Sequence, residues 1–336
     1  MARPDSAPAP RGRTPGTPAW RSRWLLPTVA GILLILLSLG SWSLARSRQG
    51  SLLPAGHAMG EDAFTGVEMP HLHGLGFSAD GRQLLVPAHN GLRVFADGAW
   101  QTPAVPAHDY MGFAVTDDGF YSSGHPAPGT TLVNPLGLVK STDGGATLQQ
   151  LGFAGESDFH GMAVGYYTHA VYVLNPSPNT RLGTGLYYSL DDGATWRQSA
   201  AQGVTAAPMQ LAVHPTDPQL VALATANGVL LSRDHGDSFA PIVTGQSVTA
   251  VAFSLDGTRL LLGSTSVSTY DLASTQLATL PAPALEGQDV ISYIAMHPVR
   301  PDELALATLE RHIYRSVDGG TTWMQLARAG VGIATP

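Results

Sequence analysis

The sequence predicts an all-β fold, a six-bladed β-propeller preceded by one N-terminal transmembrane helix, and three observations predict it. Glycine and proline number 38 and 25 in 336 residues and are spread along the chain. That density of turn formers suits many short strands and argues against a helical bundle. A turn element of the form Ser-x-Asp-x-Gly-x-Thr/Ser, closed by Leu or an aromatic, recurs at Ser141–Leu148, Ser189–Trp196, Ser232–Phe239 and Ser316–Trp323. A second repeat runs ahead of it, a strand of small and apolar residues opening at His73, Met111, His160, Met209, Thr249 and Ser292. Six units over residues 71–328 give about 43 residues each, the size of a four-stranded blade.

Taken in order, residues 1–23 are rich in Pro, Ala, Gly, Ser and Arg without an apolar period, and are expected to form a disordered cytoplasmic tail. Trp24 to Ala45 contains no charge, and its 22 residues are long enough to cross the bilayer as a helix. Trp24 and Trp42 stand near its ends, and five arginines precede it against two that follow, so the N-terminus is expected inside and the body outside the cytoplasm. A cleaved signal peptide is the alternative. Residues 46–68 read as a linker, 69–328 as the propeller and 329–336 as a C-terminal tail.

Within the repeated turn, the Asp carboxylate can accept backbone N–H bonds and the Gly permits positive φ, the chemistry of a hairpin. Asp143, Asp191, Asp234 and Asp318 are therefore expected to be structural. One copy is missing near Ser268 to Asp271, and a degenerate copy is expected at Phe95–Trp100. His214 and His297, each followed by proline in equivalent positions, read as repeat architecture.

Composition narrows the function. The absence of cysteine excludes disulfides, thiolate metal sites and a cysteine nucleophile. Seven arginines and one acid precede residue 49, leaving 11 basic against 24 acidic residues in the remainder, so nucleic acid is not expected as a partner.

Aligned blade openings place one residue from each blade at the same point round a channel. His73, Met111, His160 and Met209 are then expected to converge, with His71, Asp109 and Asp158 two residues earlier at the lip. His89 and His125 lie in loops over the same mouth, and Met162 is expected to point as His160 does. His with Met, without Cys and outside the cytoplasm, suits copper, while His with Asp would suit zinc. A small ligand or peptide could use the same mouth without a metal.

The repeated turns resemble the BNR, or Asp-box, repeats of sialidases, of the sortilin propeller and of photosystem II assembly-factor-like propellers. Through His71–Gly74, Asp109–Phe113, Gly124–Pro126, Asn134–Gly137 and Asp158–Gly161, residues 66–328 resemble bacterial membrane-attached propellers labelled glycosyl hydrolases. That resemblance implies glycan hydrolysis or binding, for which Asp109 with Asp158 or Glu156 would be the acid/base pair. No arginine stands at the opening of an innermost strand, which argues against a sialidase. A metal-binding propeller, a glycan-acting protein and an interaction scaffold thus remain as readings.

Overall fold

A computed structural model describes residues 63–335, and every regular element among them is a β-strand. The expected tail 1–23 and membrane span 24–45 lie outside the described residues.

Six antiparallel sheets follow one another along the chain. Their innermost strands are Gly76–Phe77, Asp109–Thr116, Gly161–Val164, Pro208–Val213, Ala250–Phe253 and Ile291–Met296. Each packs beside the next, and the sixth packs beside the first, closing a six-bladed propeller.

The second strands explain why the blades stack. Leu84–Ala88, Val171–Asn175, Val221–Thr225 and Leu304–Thr308 are almost wholly buried, because both faces of the sheet are covered. Alternation then divides their side chains between two neighbours. Val171 and Val173 enter the cluster shared with blade two, whereas Tyr172 enters the one shared with blade four. Six such clusters occur, one at each junction between blades. Side chains also bond across the junctions: Ser123 Oγ accepts from Phe159 N at 2.8 Å, Gln210 Oε1 accepts from Val251 N at 2.6 Å, and Thr249 Oγ1 donates to Ile291 O at 2.6 Å.

The four Ser-x-Asp turns share one geometry and join the third strand of a blade to the fourth. In each, the Ser hydroxyl donates to Oδ1 of the Asp at 2.7–2.9 Å and accepts from the Gly N–H at 2.8–2.9 Å. The same carboxylate accepts the Thr or Ser backbone N–H and hydroxyl four residues on. Trp196 and Trp323, at the ends of two of these turns, are half-buried, and each indole N–H donates to the carbonyl of its turn glycine. The other two blades turn differently. Blade one uses a two-residue hairpin with Asp97 and Gly98 both at positive φ, so Phe95–Trp100 is not a degenerate copy. Blade five uses Asp271, whose carboxylate accepts the N–H groups of Ala273 and Ser274. His214 and His297 are architectural: each Nδ1 accepts backbone N–H bonds in its own turn, and each ring packs on Phe253 or Phe77 of the following blade.

The sheet structure exceeds the expected bounds of 69–328. Val331–Ile333 pairs with Met324–Arg328 through a turn in which Ala329 and Gly330 both have positive φ. Phe64–Glu68 pairs with Val331–Ile333 in turn, so blade six has six strands. The end of the linker and the start of the C-terminal tail are therefore strands. At five residues, mostly exposed, and at three residues, mostly buried, they are too short to carry an alternating pattern that would announce them.

Candidate metal centre at the channel mouth

Three elements meet where the innermost strands begin. Ahead of the short first strand, His73 N donates to Pro87 O and His89 N donates to His71 O, which holds the histidine stretch against the end of the second strand. Asp109 opens the innermost strand of blade two and pairs in register with His125, the last residue of its second strand. Asp158 and His160 lie just before the innermost strand of blade three.

Two imidazole–carboxylate groups result. In the first, His89 Nδ1 stands 2.7 Å from Asp109 Oδ2, and His73 Nε2 stands 3.7 Å from Asp109 Oδ1. The ligand atoms of His73, His89 and Asp109 lie within 4.8 Å of one another. His73 Nε2 and Asp109 Oδ1 are both buried with no hydrogen-bond partner. In the second group, His125 Nε2 and His160 Nδ1 each stand 3.4 Å from Asp158 Oδ2. His125 Nδ1 lies 2.7 Å from Asn134 Oδ1, and Asp158 Oδ1 is buried without a partner.

The electrostatics suit a cation. Burial first, and then the neighbouring His160, His71 and His89, push the His73 pKa down to about 4, so its lone pair is free at neutral pH. Burial also pushes the Asp109 carboxyl up; His89 and His125 oppose this, and Asp158 adds to it. His71 is lowered by burial and then by Arg311; its ring centroid lies 6.5 Å from that of His73 and 6.1 Å from that of His89.

The methionines behave differently from the histidines. Met162 is 7% exposed and belongs to the core cluster with Tyr121, Phe159 and Val173, so it does not accompany His160. The strand begins only at Gly161, and alternation does not reach back to His160. Met111 is half-buried and Met209 is 54% exposed; both sit where the innermost strand shifts register against its partner, between Tyr110 and Phe113 and between Pro208 and Gln210. A bulge adds a residue and re-aims the side chains around it, so equal sequence position does not give equal direction. Glu156 is exposed, and hydrogen bonds from the Thr180 side chain and then from its backbone N–H, at 2.9 Å, lower its pKa, the opposite of what an acid catalyst needs. It ties down the loop between the second and third strands of blade three. Asn134 was legible only as part of a loop motif, because its role depends on the loop folding back to His125.

No protein-family model and no curated protein sequence matches the chain. Solved structures similar to it include a GH74 enzyme of Niastella koreensis, at 16% identity and TM-score 0.54, covering 79% of this chain and 46% of that one. The extracellular domain of BT4673 from B. thetaiotaomicron is similar at 12% identity and TM-score 0.50, covering 80% of this chain and 34% of that one. YCF48 bound to D1 peptide is similar at 18% identity and TM-score 0.46, covering 82% of this chain and 86% of that one. The chain thus spans less than half the length of the enzyme and of BT4673. Fold and comparisons together define a β-propeller.

Proposed function

We propose that this chain is a metal-binding propeller that holds one divalent transition-metal ion between His73, His89 and Asp109 at the channel mouth, outside the cytoplasm and tethered by residues 24–45. The observation that carries the reading is the buried, unpartnered pair of His73 Nε2 and Asp109 Oδ1, with His89 within reach of both. Polar atoms buried without partners are costly, and a cation between them would satisfy both at once. Two imidazoles and a carboxylate are the donor set of zinc(II) or copper(II). A copper(I) preference would need the thioethers of Met111 and Met209, whose bulged positions do not favour it. Ligation needs an unprotonated nitrogen on each imidazole and an ionised carboxylate, so affinity should rise with pH.

The test is a titration of the full chain with Zn(II), Cu(II) and Cu(I) against a competing chelator. His73→Ala is expected to weaken Zn(II) or Cu(II) binding at least tenfold. Wild-type binding no tighter than that of a His73→Ala/His89→Ala double variant sinks the reading.

Glycan hydrolysis is the second reading, favoured by the raised carboxyl of Asp109 beside the charge of Asp158. The GH74 similarity is one of fold alone. A chromogenic glycoside screen in which Asp109→Asn abolishes turnover would support it, and the absence of turnover in wild type would end it.

A further inference from the structure

The mouth lies where the innermost strands begin, and a separate cavity lies where three of them end. Ser254 directly follows the innermost strand of blade five, Met296 closes that of blade six, and Tyr167 stands in the turn after that of blade three. With Asp256, Arg259 and Pro298 they line a cavity of about 290 Å³. Ligand pockets span about 300–1,000 Å³, so this one suits a single small molecule and not an extended chain.

The lining joins an apolar wall to one free acceptor and one free donor. Tyr167 is 47% exposed, yet its backbone N–H donates to Pro215 O and its ring stands edge-on to Tyr166, centroids 4.8 Å apart. An aromatic face is thus held open to solvent beside Met296 and Pro298. Ser254 Oγ, Thr258 N and Thr258 Oγ1 all donate to Asp256 Oδ1, which fixes that carboxylate and leaves Oδ2 unbonded. Burial pushes the Asp256 carboxyl up, but these bonds and the Arg259 charge outweigh it and hold it below its ordinary value. The carboxylate is therefore ionised at neutral pH. The Arg259 guanidinium has no hydrogen bond or ion pair among the described residues, although all its N–H groups are donors.

The two charges select the ligand. A simple anion would meet the Asp256 carboxylate, and a simple cation would meet Arg259. A zwitterion satisfies both at once, its carboxylate on the guanidinium and its ammonium on Oδ2. A neutral sugar could bond to the same groups, but without the added strength of charge on both partners. The apolar wall then calls for an apolar substituent on the zwitterion. We propose that this pocket binds a free α-amino acid with an apolar side chain, at the opposite end of the channel from the mouth. The inference shares no residue with either reading of the mouth and stands or falls apart from them.

Isothermal titration calorimetry of the full chain with L-leucine and L-phenylalanine tests it. At least one of the two is expected to bind wild type. 3-Phenylpropanoate, which lacks the ammonium, and 2-phenylethylamine, which lacks the carboxylate, should bind at least about tenfold more weakly than L-phenylalanine. Arg259→Gln should weaken the amino acid about tenfold while leaving 2-phenylethylamine within about twofold. Tyr167→Ala should weaken it about fivefold, and Tyr167→Phe, which keeps the aromatic face, should restore it. Unchanged melting of the variants establishes that they fold. No binding of either amino acid overturns the inference. 3-Phenylpropanoate binding as tightly as L-phenylalanine means an anion site and also overturns it. Amino-acid binding unmoved by Arg259→Gln and Tyr167→Ala places the ligand elsewhere and overturns it as well. So does binding of methyl β-D-glucopyranoside in place of either amino acid.

Discussion

A single carboxylate organises each Ser-x-Asp turn, and its titration can be followed. Asp143 and Asp318 each accept two hydroxyls and a backbone N–H, which holds their pKa at about 2, below the ordinary 3.8. A carboxyl depressed in the folded state contributes stability that is fully present above its unfolded pKa and is lost as pH falls through the folded value. The turns should therefore weaken between about pH 4 and pH 2. Urea midpoints of wild type and Asp318→Asn should differ at pH 6 and converge toward pH 2; a constant gap would show that the carboxylate charge is not what the turn uses. His73 titrates by a different cause. Buried among other imidazoles, it should show an apparent pKa near 4 by NMR in metal-free protein, and a value near 6.5 would remove the argument for a desolvated ligand.

At the scale of the element, tryptophans fasten two of the four turns to a neighbouring blade. Trp196 stacks edge-on against Phe153 of blade two, and the Trp323 indole also donates to Pro281 O of blade five. Both are half-buried, so Trp196→Ala should cost about 2 kcal/mol, less than the 3–5 kcal/mol of a fully buried aromatic. Trp100, buried and bonded through its indole to Leu326 O, should cost more, and chemical denaturation of the two variants compares them directly. The sequence made these turns legible wherever a side-chain carboxylate organises them. In blade one it located the turn but mistook its kind, because there the backbone does the work through two left-handed residues, Asp97 and Gly98. The site divides in the same way. His71, His73, Asp109, Asp158 and His160 follow from blade equivalence, because the opening of an innermost strand is a fixed place. The pairing of His89 with Asp109 and of His125 with Asp158 did not follow, since it depends on where one blade's second strand ends beside the next blade's opening. Bulges at Met111 and Met209 broke the alternation on which a thioether contribution depended.

For the whole molecule, the decisive feature is how the ring closes. A propeller without cysteine must join its first and last blades through packing and strand pairing alone. Here Phe77, Leu84, Val86 and Phe95 of blade one share a core with Ala305, Ala307, Ile313 and Leu326 of blade six. His297 of blade six rests on Phe77 of blade one, and Arg311 donates to Pro70 O just ahead of the histidine stretch. The two added outer strands lie over this seam: Thr65 Oγ1 donates to Gly332 O, and a Cβ at Gly332 would come within 2.6–2.8 Å of the Trp100 ring and Thr65 Oγ1. Gly332→Val should therefore push the outer strands away from blade one. Overpacking of this kind costs about 1–3 kcal/mol. Because His71 and His73 belong to blade one and Asp158 and His160 to blade three, loosening the seam should disturb the first imidazole–carboxylate group before the second. Hydrogen exchange on Gly332→Val should show faster exchange at residues 64–73 and 331–333, with the innermost strand of blade three unchanged. Uniform acceleration over all six blades would instead mean that the seam has no independent stability and that the ring opens only as a whole.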